Sequence, residues 1–204
     1  PQWFKDAKFG IYAHWGVYSV PAFSSEWYSR NMYVVDSPAN EHHRRQYGEL
    51  DIFGYKDFVP RFTAPKFNAT AWANLYQRAG ALYAGPVAEN SDGFSLWNTR
   101  YSRFNAAKMG PKRDVVGEIA AAVRAAGLKV FASLHNSWLW AWYPTWNQSL
   151  ADDCGSPQYQ LNAAHGGLYG PFVPDGSESF QCNRRPGHWD SPCNTTAALH
   201  DLWP

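Results

Sequence analysis

The sequence predicts an α/β fold with a parallel sheet, and two observations carry this prediction. Continuous apolar stretches, typical of strands buried on both faces, end near residues 13, 89 and 135. Stretches with helical spacing precede the second and third of them, and this helix-then-strand alternation favours parallel strands. An open sheet and a closed barrel both fit this order. No Gly-x-Gly-x-x-Gly pattern follows any of these strands, which disfavours a dinucleotide-binding fold.

The first predicted strand covers residues 8–13 of "KFGIYAHWG", which are rich in aromatic and β-branched side chains. Residues 17–60 follow as an aromatic segment without a clear period. Such a segment is longer than an ordinary connection. We therefore expect either a functional excursion or a set of short helices.

Two amphipathic helices are predicted next. The first lies in "NATAWANLYQRAGA", with Asn68 or Thr70 at its start, Gly80 at its end and one apolar face formed by Trp72, Leu75, Tyr76 and Ala79. The second lies in "DVVGEIAAAVRAAG", with Asp114 as N-cap, Gly127 after its end and a face formed by Val116, Ile119, Ala120 and Val123. The strands "LYAGPVAE" and "LKVFASLH" follow these helices.

Composition narrows the function classes. Lys and Arg total 18 against 17 Asp and Glu, so the net charge of +1 gives no clustered positive footprint for nucleic acid. No apolar run reaches the roughly 18 to 20 residues that a membrane span needs. The chain holds 11 Trp, 12 Tyr and 12 Phe. Such rings suit the apolar faces of sugars and equally suit a protein core.

The last quarter of the chain has a different character. Residues 139–204 are rich in Cys, Gly and Pro, and "ALHDLWP" resembles the start of another helix. The cysteine spacing matches no zinc pattern, so one disulfide and one remaining thiol are expected among Cys154, Cys182 and Cys193. Together with these cysteines, the glycosylation sequons favour the secretory pathway; they begin at Asn68, Asn147 and Asn194. Three strands cannot close a barrel, so we expect the chain to be part of a larger fold or to depend on a partner.

Candidate functional residues gather at the carboxyl ends of the predicted strands, where α/β folds place their active sites. These ends read His14-Trp15-Gly16, Glu89 to Asp92, and Leu134-His135-Asn136. Several candidates also have a purely structural explanation. These explanations are a hydrogen-bonded core role for His14, an exposed position for Glu26 and an ordinary turn at Asp92-Gly93. His42-His43 is a weak metal pair, because adjacent side chains point apart and no third ligand has suitable spacing.

The opening "WFKDAKFGIYAHWGVYSVPAFSSEWYSRNMY" resembles the start of the α-L-fucosidases of glycoside hydrolase family 29. The segments "FNATAWANLYQRAGALYA", "DGFSLW", "GPKRDVVGEIAAAVRAAGLKV" and "ALHDL" continue the resemblance in the same order. It covers most of residues 1–138 and resumes near 197–202. Residues 1–138 are thus expected to form barrel strands 1 to 3 with their helices, and 139–204 a loop excursion leading to the next barrel helix.

The resemblance implies the N-terminal portion of a (β/α)8 barrel and retaining hydrolysis of terminal α-L-fucose by two carboxyl groups about 5 to 5.5 Å apart. It also implies that His14 and Glu26 hydrogen-bond the fucose hydroxyls and that Trp27 flanks the sugar. A fucosylated glycan is the implied ligand, and we expect no cofactor and no metal.

Two departures from the family pattern alter this expectation. The family reads His-His-Asp-Gly-Phe, with both histidines on the sugar, where this chain has Asn90 and Ser91 before Asp92-Gly93-Phe94. On the next strand Ala132 stands where the family has a second aromatic or imidazole group. Asn90 and Ser91 are kept as candidate substrate-binding residues, although Ser is much shorter than His.

The resemblance places the nucleophilic aspartate on the fourth strand and the acid/base further on, so no catalytic carboxylate is predicted within these 204 residues. Asp190 precedes the next helix and is rejected. Two hypotheses remain open. The chain is either the sugar-binding part of a fucosidase, inactive alone, or a non-catalytic carbohydrate-binding or structural module of an extracellular assembly.

Overall fold

The computed structural model describes residues 1–34, 36–50, 52–135 and 142. The chain divides into two compact units. The first unit comprises Pro1–Ala22 and Phe58–Asn136, and the second comprises Phe23–Asp57 and Ser137–Pro204. The predicted loop excursion lies outside the described residues except for Trp142. The predictions for Asn147, Asn194 and the three cysteines lie outside them as well.

The helices and strands follow the order that the sequence predicts, with additional short helices. The α-helices are α1 Gln2–Ala7, α2 Tyr28–Asn31, α3 Pro38–Tyr47, α4 Ala69–Arg78 and α5 Val115–Ala125. The strands are β1 Gly10–Ala13, β2 Tyr83–Glu89, β3 Lys129–Val130 and β4 Ser133–Leu134. Two 3₁₀ segments cover Val17–Ser19 and Tyr55–Arg61. The predicted excursion at 17–60 therefore contains short helices.

The sheet of the first unit is parallel throughout, as predicted. β2 lies in the centre and pairs with β1 on one side and with β3 and then β4 on the other. Residues 84–89 of β2 are buried, which explains their continuous apolar character. The third predicted strand is interrupted at residues 131–132, and its register against β2 shifts between Val87 and Glu89.

Glycines permit the close approach of side chains and backbone on this sheet. A Cβ atom at Gly85 would lie 1.7 Å from the carbonyl oxygen of Phe131, and one at Gly10 would lie 2.1 Å from the ring of Tyr83. The backbone after β3 therefore rests directly on the middle of β2, where no side chain fits.

The two predicted helices form with the predicted caps. Asn68 Oδ1 accepts a hydrogen bond from the backbone N–H of Ala71 (3.0 Å), and Asp114 Oδ1 accepts one from that of Gly117 (2.9 Å). Gly80 and Gly127 follow the helices with φ of 86° and 77°, the left-handed conformation expected after a helix end.

The buried faces of α4 and α5 differ in part from the predicted ones. On α5, Ile119 and Val123 are buried as predicted, together with Val115. On α4 the buried side chains are Ala69, Ala73 and Tyr76, whereas Leu75 is 54% exposed. α4 packs against α5, and two of its three buried residues are alanines. The prediction that Leu75 faces the core of this unit was wrong.

The second unit has a polar residue at its centre. His43 is fully buried; its Nε2 donates to the carbonyl of Phe53 (2.7 Å), so its Nδ1 accepts from the hydroxyl of Tyr28 (3.0 Å). Burial, with a smaller contribution from Tyr47, raises the pKa of the Tyr28 hydroxyl well above its usual value, so the hydroxyl stays a donor. This chain of hydrogen bonds joins α2 to α3 and to the segment after it.

Within the described part of the chain, no helix has the length and apolar character that crossing a membrane requires.

Candidate functional site

His14 directly follows β1 and lies on a defined face of the sheet. Trp15, the next residue, packs on Phe62 (ring centroids 4.9 Å apart), Phe67 (5.1 Å) and Trp72 (5.3 Å). Successive residues of an extended chain point to opposite faces. The anchoring of Trp15 among these rings therefore directs His14 to the other face, on the same side as Tyr12.

Aromatic rings follow one another along this face towards the carboxyl ends of the strands. The rings of Tyr83 and Phe131 lie 5.7 Å apart, those of Phe131 and Tyr12 5.9 Å, and those of Tyr12 and His14 5.4 Å. Gly85 lies level with Tyr12 on the central strand, and its missing side chain leaves room for this contact between β1 and the segment after β3. The series ends on the imidazole of His14, so the face changes from apolar to polar at the strand ends.

The imidazole of His14 has a buried nitrogen to satisfy. Its Nδ1 is inaccessible to solvent, and among the described residues it has no hydrogen-bond partner. A buried polar atom of this kind costs roughly 1 to 3 kcal/mol unless a partner is supplied. The alternative considered for His14 was a core histidine whose ring nitrogens bond to protein groups. Nδ1 has no such bond among the described residues, so this alternative does not account for it.

A second imidazole lies beside His14. The rings of His14 and His135 are 5.3 Å apart between centroids and meet edge to face at 66°. The backbone N–H of His135 donates to the carbonyl of Glu89 (3.0 Å), which fixes this residue at the end of β4. The sequence places His135 at a strand end but gives it no role; its position after the third strand is the signal that could have indicated one.

The loop after β2 is tightly braced. The carboxylate of Glu89 accepts a hydrogen bond from the hydroxyl of Ser95, and the carboxylate of Asp92 accepts one from the backbone N–H of Phe94 (3.1 Å). Gly93 has φ of 74° and its N–H donates to the carbonyl of Asn90 (3.0 Å). The turn predicted at Asp92-Gly93 is confirmed, and both carboxylates support the loop.

Asn90 and Ser91 lie inside this loop. They are 4% and 3% exposed, and Asn90 Oδ1 accepts a hydrogen bond from the backbone N–H of Ser91 (2.8 Å). The structure thus places both residues directly after β2, as predicted, but packs them more tightly than His14. Contact of their side chains with a sugar stays a prediction.

Glu26 and Trp27 belong to the second unit, immediately before α2. Glu26 is half-buried, and the indole of Trp27 is 37% exposed. Trp27 packs on Trp142 with ring centroids 4.9 Å apart. Their predicted contact with a sugar is likewise untested by these positions.

Trp142 is a residue that the sequence did not single out. It is 3% exposed; its indole N–H donates to the hydroxyl of Ser29 (2.9 Å), and its carbonyl accepts from the guanidinium of Arg30 (2.7 Å). These bonds to α2 hold Trp142 against Trp27. Its neighbourhood is so rich in tryptophan that no sequence signal distinguishes it from the others.

The weak metal pair at His42-His43 separates in the structure. His43 is engaged with Tyr28 and Phe53, whereas His42 stacks on Phe23 with centroids 4.0 Å apart and planes at 9°. Over the described residues, no group of three His, Cys, Asp or Glu could hold a metal ion. The expectation of no metal stays a prediction for the whole chain.

Comparison with known proteins identifies the class of this fold. The α-fucosidase of Thermotoga maritima, solved with a mechanism-based inhibitor, superposes with a TM-score of 0.67 at 42% identity, over 71% of this chain and 37% of that one. The same enzyme in complex with fucose gives the same values. The parallel strands with their helices are therefore the N-terminal part of a glycosidase (β/α)8 barrel, as predicted, and the chain holds a fucosidase-like glycoside hydrolase domain.

The family follows from the sequence comparisons. The family model for α-L-fucosidase matches residues 1–169, so the chain belongs to the α-L-fucosidase family. The rat tissue α-L-fucosidase is 40% identical over 69% of this chain, and the human plasma α-L-fucosidase is 44% identical over 61%. These alignments cover 30% and 27% of the two relatives, so this chain spans about a third of their length or less.

Proposed function

We propose that the strand ends of this chain bind a terminal α-L-fucose residue of a glycan, as the recognition part of a retaining fucosidase. The observation that carries the proposal is His14, whose buried Nδ1 lacks a partner among the described residues at the strand ends. A sugar hydroxyl can donate to and accept from an imidazole. A site that needs such a hydroxyl rejects ligands that lack it.

The rings on the same face support this function. Tyr12 lies 5.4 Å from His14 between ring centroids and is 54% exposed, so an apolar surface adjoins the polar one. Fucose has the same two characters, with hydroxyls on its ring and a methyl group at C5. Trp27, and Glu26 beside it, are proposed as further sugar contacts, and Trp142 as the side chain that positions the Trp27 indole.

Hydrolysis itself is proposed to need carboxylates other than Glu89 at the end of β2 and Asp92 in the loop after it. Retaining cleavage uses one carboxylate as nucleophile and a second carboxyl group first as acid and then as base. Glu89 is 7% exposed and its carboxylate accepts a hydrogen bond from the hydroxyl of Ser95. Asp92 is 1% exposed and its carboxylate accepts one from the backbone N–H of Phe94. Because both support the loop, neither is proposed as nucleophile, and these 204 residues are proposed to be inactive by themselves.

A second candidate function is a carbohydrate-binding or structural module without catalysis, in an extracellular assembly. Asn90 and Ser91 occupy positions where the resemblance implies two histidines, and this difference favours the second candidate. Asn90 and Ser91 are 4% and 3% exposed, and their contact with a sugar remains a proposal. A carbohydrate-binding module would share fucose recognition through His14 and lack hydrolysis, whereas a structural module would lack both.

A secreted or lysosomal location is proposed on two grounds. The relatives include a protein named as a plasma fucosidase, and the Asn68 sequon covers the N-cap and first residues of α4, where Asn68 and Thr70 are exposed. The remaining partners proposed are the rest of a barrel or another protein chain, since the sheet carries exposed apolar side chains such as Tyr12 and Leu134.

Calorimetric titration of the chain with L-fucose tests the proposal. We expect binding by the wild type and a loss of roughly tenfold or more in affinity in His14→Ala and in Glu26→Ala. His42→Ala serves as the control, since His42 stacks within the second unit and is not proposed to contact the sugar. Absent binding, or equal affinity in all variants, would leave only a structural role.

A further inference from the structure

The proposed fucose site contains a second imidazole that the sequence did not assign. His135 lies at the end of β4, and its ring meets that of His14 edge to face at 5.3 Å between centroids. The two residues come from strands on opposite sides of β2, so their side chains converge over the central strand. This convergence is a feature of the fold and does not follow from either local sequence.

The backbone fixes His135 firmly enough for it to take part in recognition. Its N–H donates to the carbonyl of Glu89 (3.0 Å), which continues the pairing of β4 with β2 by one residue. Glu89 is in turn held by Ser95 at the base of the braced loop. The imidazole of His135 is therefore carried by sheet and not by a free loop, which favours a defined ring position.

The chemistry of two adjacent imidazoles matches a sugar hydroxyl. Each neutral imidazole offers one donor and one acceptor nitrogen, and a hydroxyl both donates and accepts. His14 Nδ1 is buried and lacks a partner among the described residues, whereas Asn90 and Ser91 are packed into their own loop. His14 is therefore placed for a ligand at these strand ends, and the imidazole of His135 adjoins it.

We propose that His135 is a sugar-contacting, specificity-determining residue that forms, with His14, a two-imidazole wall recognising a fucose hydroxyl. This inference rests on the proposed function, because it assumes that the strand ends hold fucose. It assigns to the third strand a polar contact that replaces the histidines missing after the second. The ligand class is a 6-deoxyhexose with its hydroxyls free.

The test compares His135→Phe and His135→Gln in calorimetric titrations of the chain with L-fucose. Phe keeps an aromatic ring against His14 and removes both nitrogens, whereas Gln keeps a donor and an acceptor. We expect a loss of about five- to fiftyfold in affinity for His135→Phe and a loss within about threefold for His135→Gln. Unchanged thermal unfolding of both variants shows that the fold is intact.

Monodeoxy fucosides locate the contact. In the wild type, removal of the recognised hydroxyl should lower affinity, and in His135→Phe the same removal should cost much less, since its partner is already absent. If wild-type chain binds no fucose, the proposed function and this inference both fail. If wild type binds and His14→Ala loses affinity, but His135→Phe binds fucose and every deoxy analogue as wild type does, only the assignment of His135 is overturned.

Discussion

The titration of a single residue, His42, makes the stability of the second unit depend on pH. Its ring stacks on Phe23, and burial, with a smaller contribution from Arg45, lowers its pKa below the usual value near 6.5. The folded state then binds fewer protons than the unfolded state below that value. The stabilising contribution is complete above about pH 6.5 and is lost as the pH falls through the folded pKa.

Replacement of His42 by Phe should preserve the stacked ring and abolish this titration. We expect the free energy of unfolding of the wild type to fall more steeply between about pH 7 and pH 5 than that of His42→Phe. Denaturant unfolding at several pH values measures both slopes. Equal slopes would show that His42 titrates alike in the folded and unfolded states.

Single residues also differ in how far their positions and contacts could be predicted from the sequence. His14 could be placed at a strand end because the apolar run before it is unmistakable, and the cap residues could be named because capping is local. His135 beside His14 could not be foreseen, since the contact joins residues of different strands and depends on the register against β2. The burial of Asn90 and Ser91 likewise depends on how the loop to residue 106 folds back on Ser95.

At the scale of elements, the start of α4 combines a helix cap with a glycosylation sequon. Asn68 Oδ1 accepts from Ala71 N–H, and Asn68 and Thr70 are exposed. Asn68→Ala should lower the free energy of unfolding of unglycosylated chain by about 1 kcal/mol, whereas Asn68→Asp, which keeps the cap oxygen, should retain most of it. Denaturant unfolding of bacterially produced chain measures the difference; equal losses in the two variants would exclude a capping role.

The sequon is tested separately from the cap. Chain secreted from eukaryotic cells should carry a glycan on Asn68, and Thr70→Ala should remove it while leaving the cap residue in place. Mass spectrometry of the peptide, before and after enzymatic deglycosylation, checks this outcome. An unmodified Asn68 in wild-type secreted chain would contradict the prediction.

The central strand should not accept a side chain at Gly85. An added Cβ would lie 1.7 Å from the carbonyl oxygen of Phe131, and a backbone oxygen cannot rotate away. Gly85→Ala should therefore lower the free energy of unfolding by roughly 3 kcal/mol or more. Gly10→Ala is the matched comparison. The atoms nearest to its Cβ belong to the ring of Tyr83, so pairing it with Tyr83→Ala should relieve the overlap. Full stability of Gly85→Ala would refute the described packing.

The order of helices and strands was largely predictable, because periodicity and caps act locally. The buried face of α4 was not predictable: Leu75 is exposed while Ala73 is buried, because the buried face depends on the neighbours that a helix packs against in the fold. The interruption of the third strand at residues 131–132 also escaped prediction, because it arises from the approach to Gly85 on the neighbouring strand.

For the molecule as a whole, the fold and the family are established, whereas fucose recognition and fucoside hydrolysis are proposals. We expect these 204 residues to release no 4-nitrophenol from 4-nitrophenyl α-L-fucoside, because Glu89 and Asp92 are committed to the loop after β2. Turnover that disappears in Glu89→Gln or Asp92→Asn variants with intact folding would show that these carboxylates catalyse the reaction.

In the proposed function His14 contacts fucose at the strand ends, and the ring nitrogens of histidine report on such a contact directly. In long-range ¹H–¹⁵N spectra of the labelled chain, addition of L-fucose should shift the Nδ1 resonance of His14, with the half-saturation point found by calorimetry. The resonances of His43, which is fully buried in the second unit, should not move. A His14 Nδ1 resonance that stays unchanged at saturating fucose would contradict the account.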